Sequence, residues 1–64
     1  MPADVDLYIL LARAILFGAE CRDHYFRAEN EQVKRLCILG MSDALNEEAI
    51  LLKEIEDAKQ ARED

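Results

Sequence analysis

Residues 20–35 read ECRDHYFRAENEQVKR, and the fold turns on whether a helix runs through Asn30. Asp23, Arg27, Glu31 and Arg35 stand four apart with alternating sign, and Glu20 precedes His24 at the same interval. On one continuous helix these residues form a ladder of i,i+4 pairs, each contributing about 0.2–0.5 kcal/mol. Asn is also among the best helix N-caps, because its side-chain oxygen accepts a hydrogen bond from a free N–H of the first turn. The ladder predicts an unbroken helix; a cap at Asn30 predicts a break and three short helices as the alternative.

On the N-terminal side, residues 7–19 read LYILLARAILFGA, with Arg13 the one polar member. Asp4 is placed to cap this helix, Asp6 suits the positive end of its macrodipole, and Pro2 sits where a helix start tolerates proline. A helix buried on one face shows an apolar stripe, whereas this run is apolar nearly all round, which predicts cover on two or three sides. A membrane span needs about 20 apolar residues and a signal peptide needs a basic start, so burial against other helices is the better reading. On the C-terminal side, Gly40 suits the residue just past a helix end, with Lys34 and Arg35 before it. Met41, Ser42 and Asp43 then form a turn, with Ser42 or Asp43 capping a last helix that carries Glu47 and Glu48 in its first turns. Leu45, Ala49, Leu52 and Ile55 form its stripe, with Leu51 and Ala58 beside it, and the charged end after Ile55 is expected to fray.

The composition supports helices throughout. Nine Ala and nine Leu stand against two Val, no Thr, one Pro and two Gly, which is poor material for strands. The expected fold is therefore all-α: a single small helical domain over residues 1–64, built as a hairpin with a long first helix (about 4–39) and a shorter second helix (about 43–62). On those bounds the first helix is about 54 Å long and the second about 30 Å, so the apolar run at 7–19 lies beyond the reach of the returning helix. A chain of this length buries only about 60% of its unfolded surface. Both points predict a homodimer, a four-helix bundle closed through the uncovered run. Leu7, Leu11, Ala14, Gly18, Cys21 and Tyr25 follow the 4-3-4-3-4 spacing of a coiled-coil seam, and the small residues Ala14 and Gly18 favour close helix approach. The expected dimer interface is Leu7, Leu11, Ala14, Ile15, Gly18 and Cys21. Tyr8, Phe17, Tyr25 and Phe26 are the aromatic candidates for holding a partner.

Chemistry is sparse. One Ser, one His and no Thr leave Ser42 and His24 as the sole material for a nucleophilic triad, and no phosphate loop, dinucleotide fingerprint, HExxH or CxxC occurs. The chain is read as no enzyme and as needing no cofactor. Cys21 and His24, three apart beside Glu20 and Asp23, are the one metal-ligand pair to weigh; a core cysteine beside an exposed histidine explains them more simply. On a continuous helix Cys21 and Cys37 lie about 24 Å apart, too far for an intrachain disulfide. Both are read as free thiols of a cytoplasmic protein.

A net charge of −6 argues against direct contact with nucleic acid, and acidic faces argue against an anionic membrane. The acids of the last third, Glu47, Glu48, Glu54, Glu56 and Asp57 among them, are interrupted by Lys53, Lys59 and Arg62. The leading functional reading is a non-catalytic interaction module, a dimeric hairpin that binds and modulates an unidentified protein by inhibiting, adapting or chaperoning it. The alternative is an acidic inhibitor of the phage or mobile-element kind, whose carboxylates stand in for phosphates in a nucleic-acid-binding site.

Overall fold

The computed structural model describes the backbone of residues 3–63 and the side chains of residues 5–62. Two helices, α1 (Ala3–Arg27) and α2 (Glu31–Glu63), form an all-α hairpin. The break lies at residues 28–30 and is made by Asn30. Its Oδ1 accepts a hydrogen bond from the Gln32 N–H at 2.7 Å, and its carbonyl accepts from Lys34 N at 3.0 Å, opening the α2 ladder. The end of α1 is closed by the Ala28 N–H, shared between the carbonyls of His24 (2.9 Å) and Tyr25 (3.3 Å).

This corrects the expected bounds in two places. The first helix stops at Arg27 instead of running to residue 39, and the second begins at Glu31 instead of residue 43. Of the charge ladder, Arg27 Nη2–Asp23 Oδ2 survives at 2.9 Å, while Glu31 turns to Lys34 at 3.7 Å. Exposed pairs worth a few tenths of a kcal/mol do not outweigh the apolar area that the hairpin buries. Gly40, Ser42 and Asp43 lie inside α2, not in a turn, and neither glycine has a positive φ. α2 also continues past Ile55 to Glu63. The side chain of Asp4, the expected cap, and Pro2 lie outside the described residues.

Both helices carry a seven-residue repeat of covered positions. On α1 the least exposed residues after Val5 are Leu7, Leu11, Ala14, Gly18, Cys21 and Tyr25. On α2 the covered series starts at Lys34 and runs through Cys37, Met41, Ala44, Glu48, Leu51, Ile55 and Ala58, with Gly40 beside it. Alternating steps of three and four keep one stripe of each helix on its neighbour, as in a coiled coil. The register is fixed by the glycines. A Cβ on Gly18 would lie 3.1 Å from the Ala44 Cβ, and a Cβ on Gly40 would lie 2.6 Å from Cys21 Sγ. Both glycines therefore serve close helix approach. Stepping along the antiparallel helices from the Gly18–Ala44 level sets Leu11 against Leu51 and Leu7 against Ile55.

The apolar run at 7–19 is thus covered on one face by α2, which returns along the whole of α1. The stripe on α2 is rotated from the expected one: Leu51 (3% exposed), Ile55 (4%) and Ala44 (4%) are in the core, whereas Leu45 (66%), Ala49 and Leu52 (55%) are outside it. The hairpin measures 52 × 17 × 11 Å, two helices wide and one helix thick. Domains ordinarily close a core between two layers; here a single layer leaves each helix with one neighbour.

Candidate functional site: the exposed apolar flanks

Among the described residues only Ala14, Cys37, Ala44, Leu51 and Ile55 are buried, and no side chain is below 2% exposure. Fourteen large hydrophobic residues among those described are exposed. They result from the helix-all-round character of residues 7–19 and from apolar residues of α2 placed just off its seam. The chain exposes 5142 Å². A compact monomer of this mass is expected to expose about 4,200 Å².

The two flanks of the hairpin differ. On one, Ile15, Gly18, Ala19 and Arg22 of α1 face Met41, Ala44, Leu45 and Glu48 of α2 across an open groove of about 410 Å³. Its floor is low because glycine and alanine meet there. Tyr8 continues this flank along α1, seven residues before Ile15, and Ile38 and Leu52 continue it along α2, seven residues either side of Leu45. The other flank holds a second hollow of about 380 Å³ near the loop, lined by Cys21, His24, Ala28, Val33, Leu36 and Cys37 with Arg27. Farther along that flank come Phe17, whose Cε2 is 3.6 Å from the Cβ position of Gly40, and then Leu10 and Ile50.

The expected dimer seam is placed differently from its sequence reading. Leu7, Leu11, Ala14, Gly18 and Cys21 pack toward α2 of the same chain, so the heptad is real but its occupant is intrachain. Ile15 alone of that set stands exposed on the groove flank. The aromatic candidates do not gather into one cluster. Tyr8 is on the groove flank and Phe17 on the opposite one. Tyr25 is half-buried at the seam, with Lys34 Nζ 6.0 Å from its ring centroid. Phe26 is 77% exposed and meets Tyr25 edge to face, with ring centroids 5.4 Å apart.

The acidic residues are likewise divided. Glu47, Glu54 and Asp57 follow the flank of Phe17, Glu56 lies across the helix from them, and Glu48 lines the groove. These five described carboxylates therefore do not share one flank. The hairpin also corrects the placement of the thiols: Cys21 and Cys37, expected far apart on one helix, line the same hollow from opposite helices, and both are free. Sequence spacing missed this because the break at residues 28–30 folds the chain between them. Among the described residues, no three His, Cys, Asp or Glu side chains are grouped to hold a metal ion. Ser42 and His24 belong to opposite flanks, and no buried polar or charged residue occurs among those described.

The arrangement offers apolar helix surface flanked by charge, suited to docking against other helices. Among the described residues, no helix is long and apolar enough to cross a membrane. Compared with known families, curated proteins and solved structures, the chain matches none.

Proposed function

We propose that this chain is a non-catalytic protein–protein interaction module: a helical hairpin that pairs with a second copy into a four-helix bundle and modulates another protein through the apolar surface left over. The observation that carries this reading is the imbalance of burial among the described residues: five buried side chains, of which only Leu51 and Ile55 are large, against fourteen exposed large hydrophobics. The excess exposed surface, about 950 Å² over a compact monomer, is of the size that each partner contributes to a stable interface, about 800 Å². Two single-layer hairpins stacked face to face acquire the second layer that one lacks.

Light scattering on a sizing column, at low micromolar protein and at two salt concentrations, tests the first half. The expected result is a folded dimer at both salt concentrations, because the apolar contacts that carry most of the interface are not screened. A folded monomer at both salt concentrations would overturn it. The second half is tested by alanine at Phe17 and Leu36, off the groove flank. These substitutions are expected to leave the dimer mass unchanged and to abolish association with whatever protein the native chain retains.

A further inference from the structure

The groove flank has a symmetry that singles out one way of pairing. Along α2 the exposed residues at seven-residue intervals are Glu31, Ile38, Leu45, Leu52 and Lys59, an acid, three aliphatic residues and a base. Read backwards from Leu45 the pattern is the same in hydrophobicity and opposite in charge. Along α1 the matching series is Tyr8, Ile15 and Arg22, centred on Ile15. From the Gly18–Ala44 level, Ile15 and Leu45 lie within one helical turn of each other along the hairpin. The two series therefore share a midpoint, beside the stretch of the groove floored by Gly18 and Ala44.

We propose that this flank seats a second copy of the chain, antiparallel to the first, about a two-fold axis crossing the hairpin at the level of Ile15 and Leu45. This rests on the dimer reading above and adds its face and its direction. An isologous interface must be complementary to itself, residue i meeting j and j meeting i. A two-fold at this level brings Leu45 against Leu45 of the second copy and Ile38 against Leu52. It also brings Glu31 to Lys59, twice over. On α1 it sets Ile15 near its own counterpart and Tyr8 near Arg22, a ring facing a guanidinium. Glu31 and Lys59 are both exposed, and Glu31 has only a long contact to Lys34 at 3.7 Å within the chain. The parallel alternative, with the axis along the hairpin, stacks α2 on α1 and sets Leu45 against Ile15, Leu52 against Tyr8 and Ile38 against Arg22. It leaves the Glu31 and Lys59 of the two copies at opposite ends.

The test uses the full chain in two ways. In a C21A/C37A background, L45C is expected to form an intermolecular disulfide on mild oxidation, and an equimolar mixture of I38C and L52C chains is expected to form the mixed disulfide. In the native chain, E31K and K59E are each expected to raise the dimer dissociation constant about five-fold or more at low salt, and E31K/K59E together to restore it. A native dimer in which L45C does not cross-link, while mixed I15C and L45C chains do, overturns the antiparallel arrangement and leaves the dimer reading standing. A dimer that the double charge exchange fails to restore also overturns it. A native chain that is monomeric by light scattering removes the dimer reading itself.

Discussion

Replacing Gly40 by alanine tests the hairpin at the point where it departs most from a plain reading of the sequence. In an exposed helix interior, Gly→Ala stabilises by about 1 kcal/mol. Here the new methyl would sit 2.6 Å from Cys21 Sγ, well inside the roughly 3.5–4.0 Å of a favourable contact. The Cys21 Cβ and Phe17 Cε2 are both 3.6 Å away and impose nothing. The thiol must therefore leave its position, and an off-rotamer side chain costs about 0.5–1.5 kcal/mol, which cancels the gain. G40A alone is expected to change stability by less than about 0.5 kcal/mol. In a C21A background the sulfur is gone and the full gain of about 1 kcal/mol returns, raising Tm by about 4–8 °C over C21A alone. Urea unfolding followed by circular dichroism, at one fixed protein concentration for all four chains, gives the coupling energy. Equal stabilisation in both backgrounds would mean that Cys21 does not face Gly40. Destabilisation by more than about 1 kcal/mol in both would mean that Gly40 closes a turn after all and that α2 does not run from Glu31 to Glu63.

Five further substitutions follow from the same geometry. N30A removes the oxygen that holds Gln32 N–H and is expected to lower stability by about 1 kcal/mol, whereas N30G costs only a few tenths, both read by urea unfolding. L51A is expected to cost about 2–5 kcal/mol at any protein concentration, while L52A, one residue on, leaves the hairpin intact and weakens the dimer, so its stability becomes steeply concentration-dependent. G18L forces a long side chain into the 3.1 Å approach to Ala44 and is expected to cost about 1–3 kcal/mol, with the loss of helical circular dichroism on heating moving to lower temperature.

The helical class was legible from composition, and so was the heptad on α1, because spacing survives any choice of partner. The turn was not. Two signals competed for it: Asn30 offered a cap without a glycine or proline beside it, and Gly40 followed by Met41, Ser42 and Asp43 offered a turn with several favourable residues. Glycine has two physical uses in helical proteins, to end a helix and to let another helix come close, and the first is the one that local sequence advertises. Only the atoms on the opposite helix, Cys21 and Phe17, reveal the second. The face of α2 was hidden for a similar reason. Leu51 and Leu52 are adjacent and chemically identical, so a one-residue rotation of the stripe exchanges a core leucine for an exposed one without changing composition. What the sequence did contain was the step of three and four through Cys37, Met41 and Ala44, resumed at Leu51, Ile55 and Ala58, but the charged Lys34 and Glu48 at the same spacing obscure it.

The same single-layer geometry bears on how many surfaces the protein uses. An antiparallel pair through Ile38, Leu45 and Leu52 covers the groove flank and nothing beyond it. Phe17, Leu36 and Ile50 on the opposite flank, and Ile9 and Leu16 on the back of α1, stay exposed in such a pair. That flank also carries Glu47, Glu54 and Asp57 on α2, with Arg27 at its loop end, so its apolar residues away from the loop are bordered by carboxylates. Like charges on both sides of a self-complementary contact repel, which disfavours a third and fourth copy adding there and ending in an open polymer. A partner with apolar residues bordered by Lys or Arg meets no such penalty. The charge of −6 on the whole chain acts in the same sense, speeding encounter with a basic surface and slowing it with another copy. Salt therefore separates the two contacts: association of the dimer with a basic partner is expected to slow as salt rises, while the dimer's own mass holds constant.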